Sequence, residues 1–79
     1  SFNVYPNPAT NLVNLEVKLD EGTILNYAVL SINGQTMISE AVNATELSTT
    51  ISTAALKPGV YMLNVVTDQG SSVKRLIVH

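Results

Sequence analysis

Alternation of apolar and polar positions is clearest in two places. Val13, Leu15, Val17 and Leu19 fall on one side of a run whose other side is Asn14, Glu16 and Lys18. That period of two marks a half-buried strand. Val60 to Thr67 repeats the pattern, with Tyr61, Leu63 and Val65 opposed to Met62, Asn64 and Val66. Phe2 to Tyr5 is a short extended aromatic element that stops at Pro6. Ile24 to Ile32 is apolar on both sides, with Ile24, Ala28, Leu30 and Ile32 on one and Leu25, Tyr27 and Val29 on the other. This predicts a central strand covered on both faces. Gln35 to Val42 alternates Met37 and Ser39 with Ile38 and Glu40. Leu47 to Thr53 is rich in β-branched residues, which favour strand over helix. Val73 to Val78 closes the series, with Val73, Arg75 and Ile77 opposed to Lys74, Leu76 and Val78.

The segments between these runs carry turn chemistry. Pro6 and Pro8 push Tyr5 and Asn7 out of the helical region and predict a polyproline-like bend, with Asn7 bonding nearby backbone as in an Asx-turn. Asp20-Glu21-Gly22 ends the second run. Asn33-Gly34 separates its flanking runs by two residues, which predicts a type I′ hairpin. Ser52 to Leu56 reads as a single helical turn capped by a hydroxyl, with Leu56 reaching the core. Pro58-Gly59 suits the two central positions of a type II turn, and Asp68-Gln69-Gly70-Ser71 a hairpin turn. Seven short strands with turns at this spacing predict an all-β fold, a β-sandwich of two small antiparallel sheets. A single curled sheet or a small open barrel is the alternative.

Composition narrows what such a fold can do. With 79 residues the chain is one domain with a thin core. Hydrophobic residues make up 46%, too many for disorder, while charged residues are only 13% and the net charge is -2. The basic stripe of a nucleic-acid binder is missing. The absence of cysteine excludes disulfides, thiolate metal sites and cysteine nucleophiles. No apolar run approaches the length of a membrane-spanning helix, and no signal-peptide pattern opens the chain. A start at Ser1-Phe2 suggests a piece of something longer.

Candidate chemistry is sparse. His79 is the only histidine, and a hydroxyl nucleophile needs an oriented base. The carboxylates of Glu16, Asp20, Glu21, Glu40, Glu46 and Asp68 are scattered over turns and polar strand faces, which suits solvation better than a glycosidase pair. Asp20, Glu21 and Asp68 could at most supply a weak calcium loop. The four glycines are isolated turn residues and form no phosphate-binding run. Tyr5, Tyr27 and Tyr61 could form a sugar platform if they were exposed together, although alternation places Tyr61 with the core. Asn43-Ala44-Thr45 matches a glycosylation acceptor. Lys74 and Arg75 supply half of the four basic side chains; they either guard an edge strand or are presented to a partner.

Taken together, Tyr5-Pro6-Asn7-Pro8-Ala9-Thr10-Asn11, Asn33-Gly34-Gln35, Leu56-x-x-Gly59-x-Tyr61-x-Leu63-x-Val65 and Lys74-Arg75-Leu76-Ile77-Val78 resemble the C-terminal sorting domain of the type IX secretion system of Bacteroidetes. The resemblance spans essentially the whole chain, with the motifs in order. It implies a seven-stranded immunoglobulin-like sandwich, no catalysis and no cofactor. It further implies a cargo domain preceding this one in the parent chain, a leader-driven passage to the periplasm, and export by the outer-membrane translocon. A cell-surface sortase then removes the domain and joins the cargo to anionic lipopolysaccharide. The resemblance carries recognition roles onto Pro6, Asn7 and Pro8 of the opening motif, Gly59 and Tyr61 of the Gly-x-Tyr motif, and Lys74 and Arg75 of the terminal motif. His79 stands where the family often ends in Lys or Arg. The rival expectation is an adhesion or carbohydrate-binding module of a secreted enzyme, which requires an exposed row of aromatic residues.

Overall fold

The computed structural model describes residues 1–79 and contains seven strands: β1 (Phe2–Tyr5), β2 (Leu12–Lys18), β3 (Ile24–Ser31), β4 (Thr36–Ala44), β5 (Glu46–Ser52), β6 (Gly59–Thr67) and β7 (Gly70–Val78). They form two antiparallel sheets, one ordered β1-β2-β5 and the other β4-β3-β6-β7. The two sheets are separate and open, which makes the fold a β-sandwich rather than a single curled sheet or a small open barrel. The pairing is that of an immunoglobulin-like sandwich in which β4 has joined the sheet of β3.

The alternating runs set the core. Val13, Leu15 and Val17 from β2 face Tyr61, Leu63 and Val65 from β6, with Ile51, Leu76 and Val78 closing the cluster. All of these are buried, and Leu15, Leu63 and Leu76 are completely so. Phe2, Val4, Leu19, Leu47 and Leu56 pack around the margin. With no disulfide to help, each fully buried side chain contributes about 1.5–3 kcal/mol by leaving water, and the marginal ones less.

β3 departs from simple alternation. A register shift lies between Ile24 and Asn26 against both of its neighbours. The bulge turns Ile24 to the same side as Tyr27 and Val29, and all three are buried while Leu25 is exposed. Strict alternation had put Ile24 opposite Tyr27, and one inserted residue reverses that. Nor is β3 covered on both faces, because the molecule has only two layers. Ala28 and Leu30 are shielded by their neighbours within the sheet and stand half-buried on its outer side.

Four local expectations also change. The β3–β4 loop runs through Ile32-Asn33-Gly34, closed by Gly34 N–H to Ser31 C=O at 2.9 Å and Ser31 N–H to Gln35 C=O at 2.8 Å. Only Gly34 has positive φ, at 92°. A type I′ turn needs two such residues; one left-handed glycine after a type I turn gives the three-residue bulged hairpin instead. It leaves Ile32 76% exposed at the tip. Ser52 to Leu56 is a turn rather than a helical one, closed by Leu56 N–H to Thr53 C=O at 3.0 Å; the expected hydroxyl cap is there, with Ser52 Oγ accepting from Ala54 N–H at 3.4 Å. Gly59 has φ 158°, far from the value near 80° of a type II turn, and instead opens β6 opposite Val78. Residues 6–8 form a sequence of bends, with cis Tyr5-Pro6 and Asn7-Pro8 bonds, in place of a polyproline-like segment.

Candidate functional site

Asn7 makes no local Asx-turn. Its side chain reaches across to the last strand, where Nδ2 donates to the Arg75 carbonyl at 2.9 Å and Oδ1 accepts from the Ile77 N–H at 3.1 Å. Ala9 continues the contact: its N–H donates to Ile77 C=O and its C=O accepts from His79 N–H, each at 2.8 Å. Ala9 and Val78 form a parallel bridge, and Ala9 is completely buried. Residues 7–9 thus act as a short surrogate strand. A carboxamide offers the same donor and acceptor as a peptide group, and here it occupies the place of one.

The other side of the same stretch is paired with the start of β6. Gly59 lies opposite Val78 and Tyr61 opposite Leu76. Tyr61 buries its ring in the core, and its hydroxyl donates to Lys57 C=O at 2.6 Å. That bond back to backbone just upstream fixes the corner where the chain enters β6, as tyrosine corners do in immunoglobulin-like domains. The end of β7 is therefore held between the Gly59/Tyr61 strand and the Asn7 strap. Pro6, Asn7, Pro8, Gly59, Tyr61, Arg75 and His79 gather at this one end of the molecule.

Lys74 and Arg75 part company. Consecutive strand residues point to opposite faces. Lys74 reaches over the sandwich mouth, with Nζ 5.5 Å from the centre of the Phe2 ring. That cation–π contact contributes about 0.5–1 kcal/mol at an exposed site. Arg75 stands on the outer face, and neither is in an ion pair; the molecule's ion pair is Lys18–Glu46 at 3.5 Å, far exposed on both sides. Ala9, which completes this end, and Phe2, which meets Lys74, had no signal in the sequence beyond their apolar character, because their partners are distant in the chain.

The remaining candidate chemistry does not assemble. No three His, Asp or Glu side chains come together to hold a metal. Asp68 instead accepts the Thr23 N–H through Oδ1 at 2.9 Å, pinning the β2–β3 loop to the β6–β7 turn. The surface has one shallow depression, on the three-stranded sheet and lined by Ser1, Asn3, Glu16, Lys18, Glu46 and Ser48; Glu16 and Glu46 border it, and none of the recognition residues does. Tyr27 and Tyr61 are buried and only Tyr5 is substantially exposed, so no aromatic row exists for a sugar. Tyr5 has its phenol pushed above the ordinary range by a hydrogen bond with Glu16, aided by desolvation and the Glu16 charge. Tyr27 is raised chiefly by burial, then by the charge of Glu40.

The structure is thus a two-sheet sandwich stapled at one end by its own first and last segments. A family model for the secretion system C-terminal sorting domain matches residues 3–79, and the chain belongs to that family. Its members are the non-catalytic C-terminal signals that sort cargo for type IX secretion. They work with the type IX export machinery, and proteins that carry them are secreted. A comparison with curated proteins gave no match.

Proposed function

We propose that residues 1–79 act as one detachable sorting unit, and that the translocon reads the end formed by Pro6, Asn7, Pro8, Gly59, Tyr61, Arg75 and His79 together with the neighbouring Lys74. The observation that carries this reading is the Asn7 bridge to Arg75 and Ile77. It turns motifs at the two ends of the chain into one rigid surface. Cargo precedes Ser1 in the parent chain, passes through the periplasm, and reaches the cell surface. There a sortase releases it from this domain for attachment to anionic lipopolysaccharide.

The test is a passive reporter fused ahead of Ser1 in a type IX-competent bacterium. Removing Lys74 to His79 outright is a poor variant, since it takes away the buried Leu76 and Val78 and unfolds the signal. Lys74→Ala with Arg75→Ala leaves the core intact. Charge-assisted contacts of about 1.5–3 kcal/mol make a roughly tenfold or greater fall in export the expected result. Undiminished export by the folded double variant would sink the reading.

A further inference from the structure

Each sheet edge of the sandwich carries unpaired backbone groups, and the edges differ. β1 has four residues and no charge. β4 carries Glu40, and its register against β3 is broken twice. β5 carries Glu46. β7 is the longest edge paired in unbroken register, over all nine of its residues, and it alone among the edges bears cations.

Parity shows which β7 groups face outward. Arg75 C=O, Ile77 N–H, Ile77 C=O and His79 N–H all bond to residues 7 and 9, on the side away from β6. Odd-numbered residues of β7 therefore direct their backbone to the edge, and even-numbered ones to β6. The strap seals the edge from Arg75 C=O onward. Short of it, the N–H and C=O of Ser71 and Val73 and the N–H of Arg75 form an open ladder. Lys74 and Arg75 stand at the boundary, one on each face of the sheet, with no carboxylate paired to either.

Building on the sorting function proposed above, we infer that Ser71–Arg75 is a docking edge for an extended acidic segment of a partner protein. Strand addition supplies the main-chain bonds, and the charges choose the partner. Two consecutive acidic residues in an added strand point to opposite faces, as Lys74 and Arg75 do, so an adjacent carboxylate pair meets both cations at once. A second copy of this chain is a poor occupant. Antiparallel pairing centred on Val73 gathers the Lys74 and Arg75 cations of both copies without a carboxylate among them, and like charges on neighbouring strands repel. The strap limits the footprint: an added strand stops at Asn7.

The probe is a blocked eight-residue peptide, Thr-Val-Thr-Asp-Glu-Val-Thr-Val, titrated to about 1 mM into the labelled domain and followed by amide NMR. A counterpart carries Lys-Lys in place of Asp-Glu. The acidic peptide should shift the amides of Ser71, Val73 and Arg75 and slow their exchange, while those of Ile77 and His79, already bonded, keep their protection. Val73→Pro removes an outward N–H without touching the β6 ladder, as an edge strand permits, and should abolish the response. Should Val73→Pro unfold, Lys74→Glu with Arg75→Glu takes its place, and the preference should pass to the Lys-Lys peptide. No response, an equal response to both peptides, or shifts confined to β4 or β5 would overturn the inference and leave Lys74 and Arg75 as guards of a bare edge. The arms are separable: an exported wild-type fusion whose domain ignores the peptide overturns the docking edge alone, and an unexported fusion whose domain binds it overturns the export reading alone.

Discussion

Asn7 and Ile77 lie seventy residues apart in the chain and share a hydrogen bond, Ile77 N–H to Asn7 Oδ1 at 3.1 Å. With Nδ2 on the Arg75 carbonyl, the side chain holds the outer edge of β7 at both donor and acceptor.

Asn7→Leu removes both bonds, and Asn7→Asp keeps the acceptor only. Surface bonds of this kind contribute about 0.5–1.5 kcal/mol each, so Asn7→Leu should cost about 1–3 kcal/mol and Asn7→Asp about half of that. Hydrogen exchange at the Ile77 amide should accelerate in the Leu variant while the Leu63 amide, deep in β6, changes only with global stability. An unchanged Ile77 rate would mean that the strap does not hold the strand.

Tyr61→Phe leaves the buried ring in place and removes the bond to Lys57 C=O. Lys57 is exposed, so water satisfies the abandoned carbonyl and the loss should be about 1 kcal/mol. Urea denaturation would measure it. A loss like that of Tyr61→Ala, about 3–5 kcal/mol as for other aromatic truncations, would show that the hydroxyl rather than the ring secures the corner.

Gly22 has φ 97°, and a Cβ there would lie 2.6 Å from Asp68 Oδ1, the oxygen that accepts the Thr23 N–H. Gly22→Ala therefore meets both an unfavourable backbone and a committed carboxylate, and should cost about 1–3 kcal/mol. In an Asp68→Ala background the carboxylate clash disappears, leaving only Gln69 Cγ at 3.1 Å, and the cost should be smaller. Equal costs in both backgrounds, from a double-mutant cycle, would assign the effect to the backbone and Gln69 rather than to Asp68.

Tyr27 predicts an alkaline limit. Burial raises its phenol above the ordinary value of 10.0, and the Glu40 charge adds to this. A group whose neutral form is favoured by folding ionises first in the unfolded chain, so stability is intact below about pH 10 and falls as pH rises toward the folded value. Thermal unfolding followed above pH 10 should show that fall, and Tyr27→Phe should flatten it. An identical pH slope in the two proteins would assign the alkaline loss to other groups.

Much of the architecture was legible in the residues. The even spacing of Val13, Leu15 and Val17, and of Tyr61, Leu63 and Val65, sets the two strands that face each other across the core, because burial of one face allows only that register. Turn residues placed all seven strands in order. Where the reading failed, at Ile24, Asn33 and Gly59, a single bulged residue or a single φ decided the outcome. Alternation cannot reveal an inserted residue, and a dipeptide that suits one turn also suits its neighbours in conformational space.

The sequence by itself determined an all-β chain with no cysteine and a single histidine, and its motifs pointed to the sorting family. Only the tertiary structure decided that Asn7 bonds to β7, that Pro6-Asn7-Pro8, Gly59/Tyr61 and Arg75 to His79 converge at one end, and that Lys74 and Arg75 face apart beside an open edge. The reason is range. Periodicity and turn propensity act over a few residues, whereas the Asn7 bridge exists only after both sheets have packed and brought the two ends of the chain within reach of one side chain.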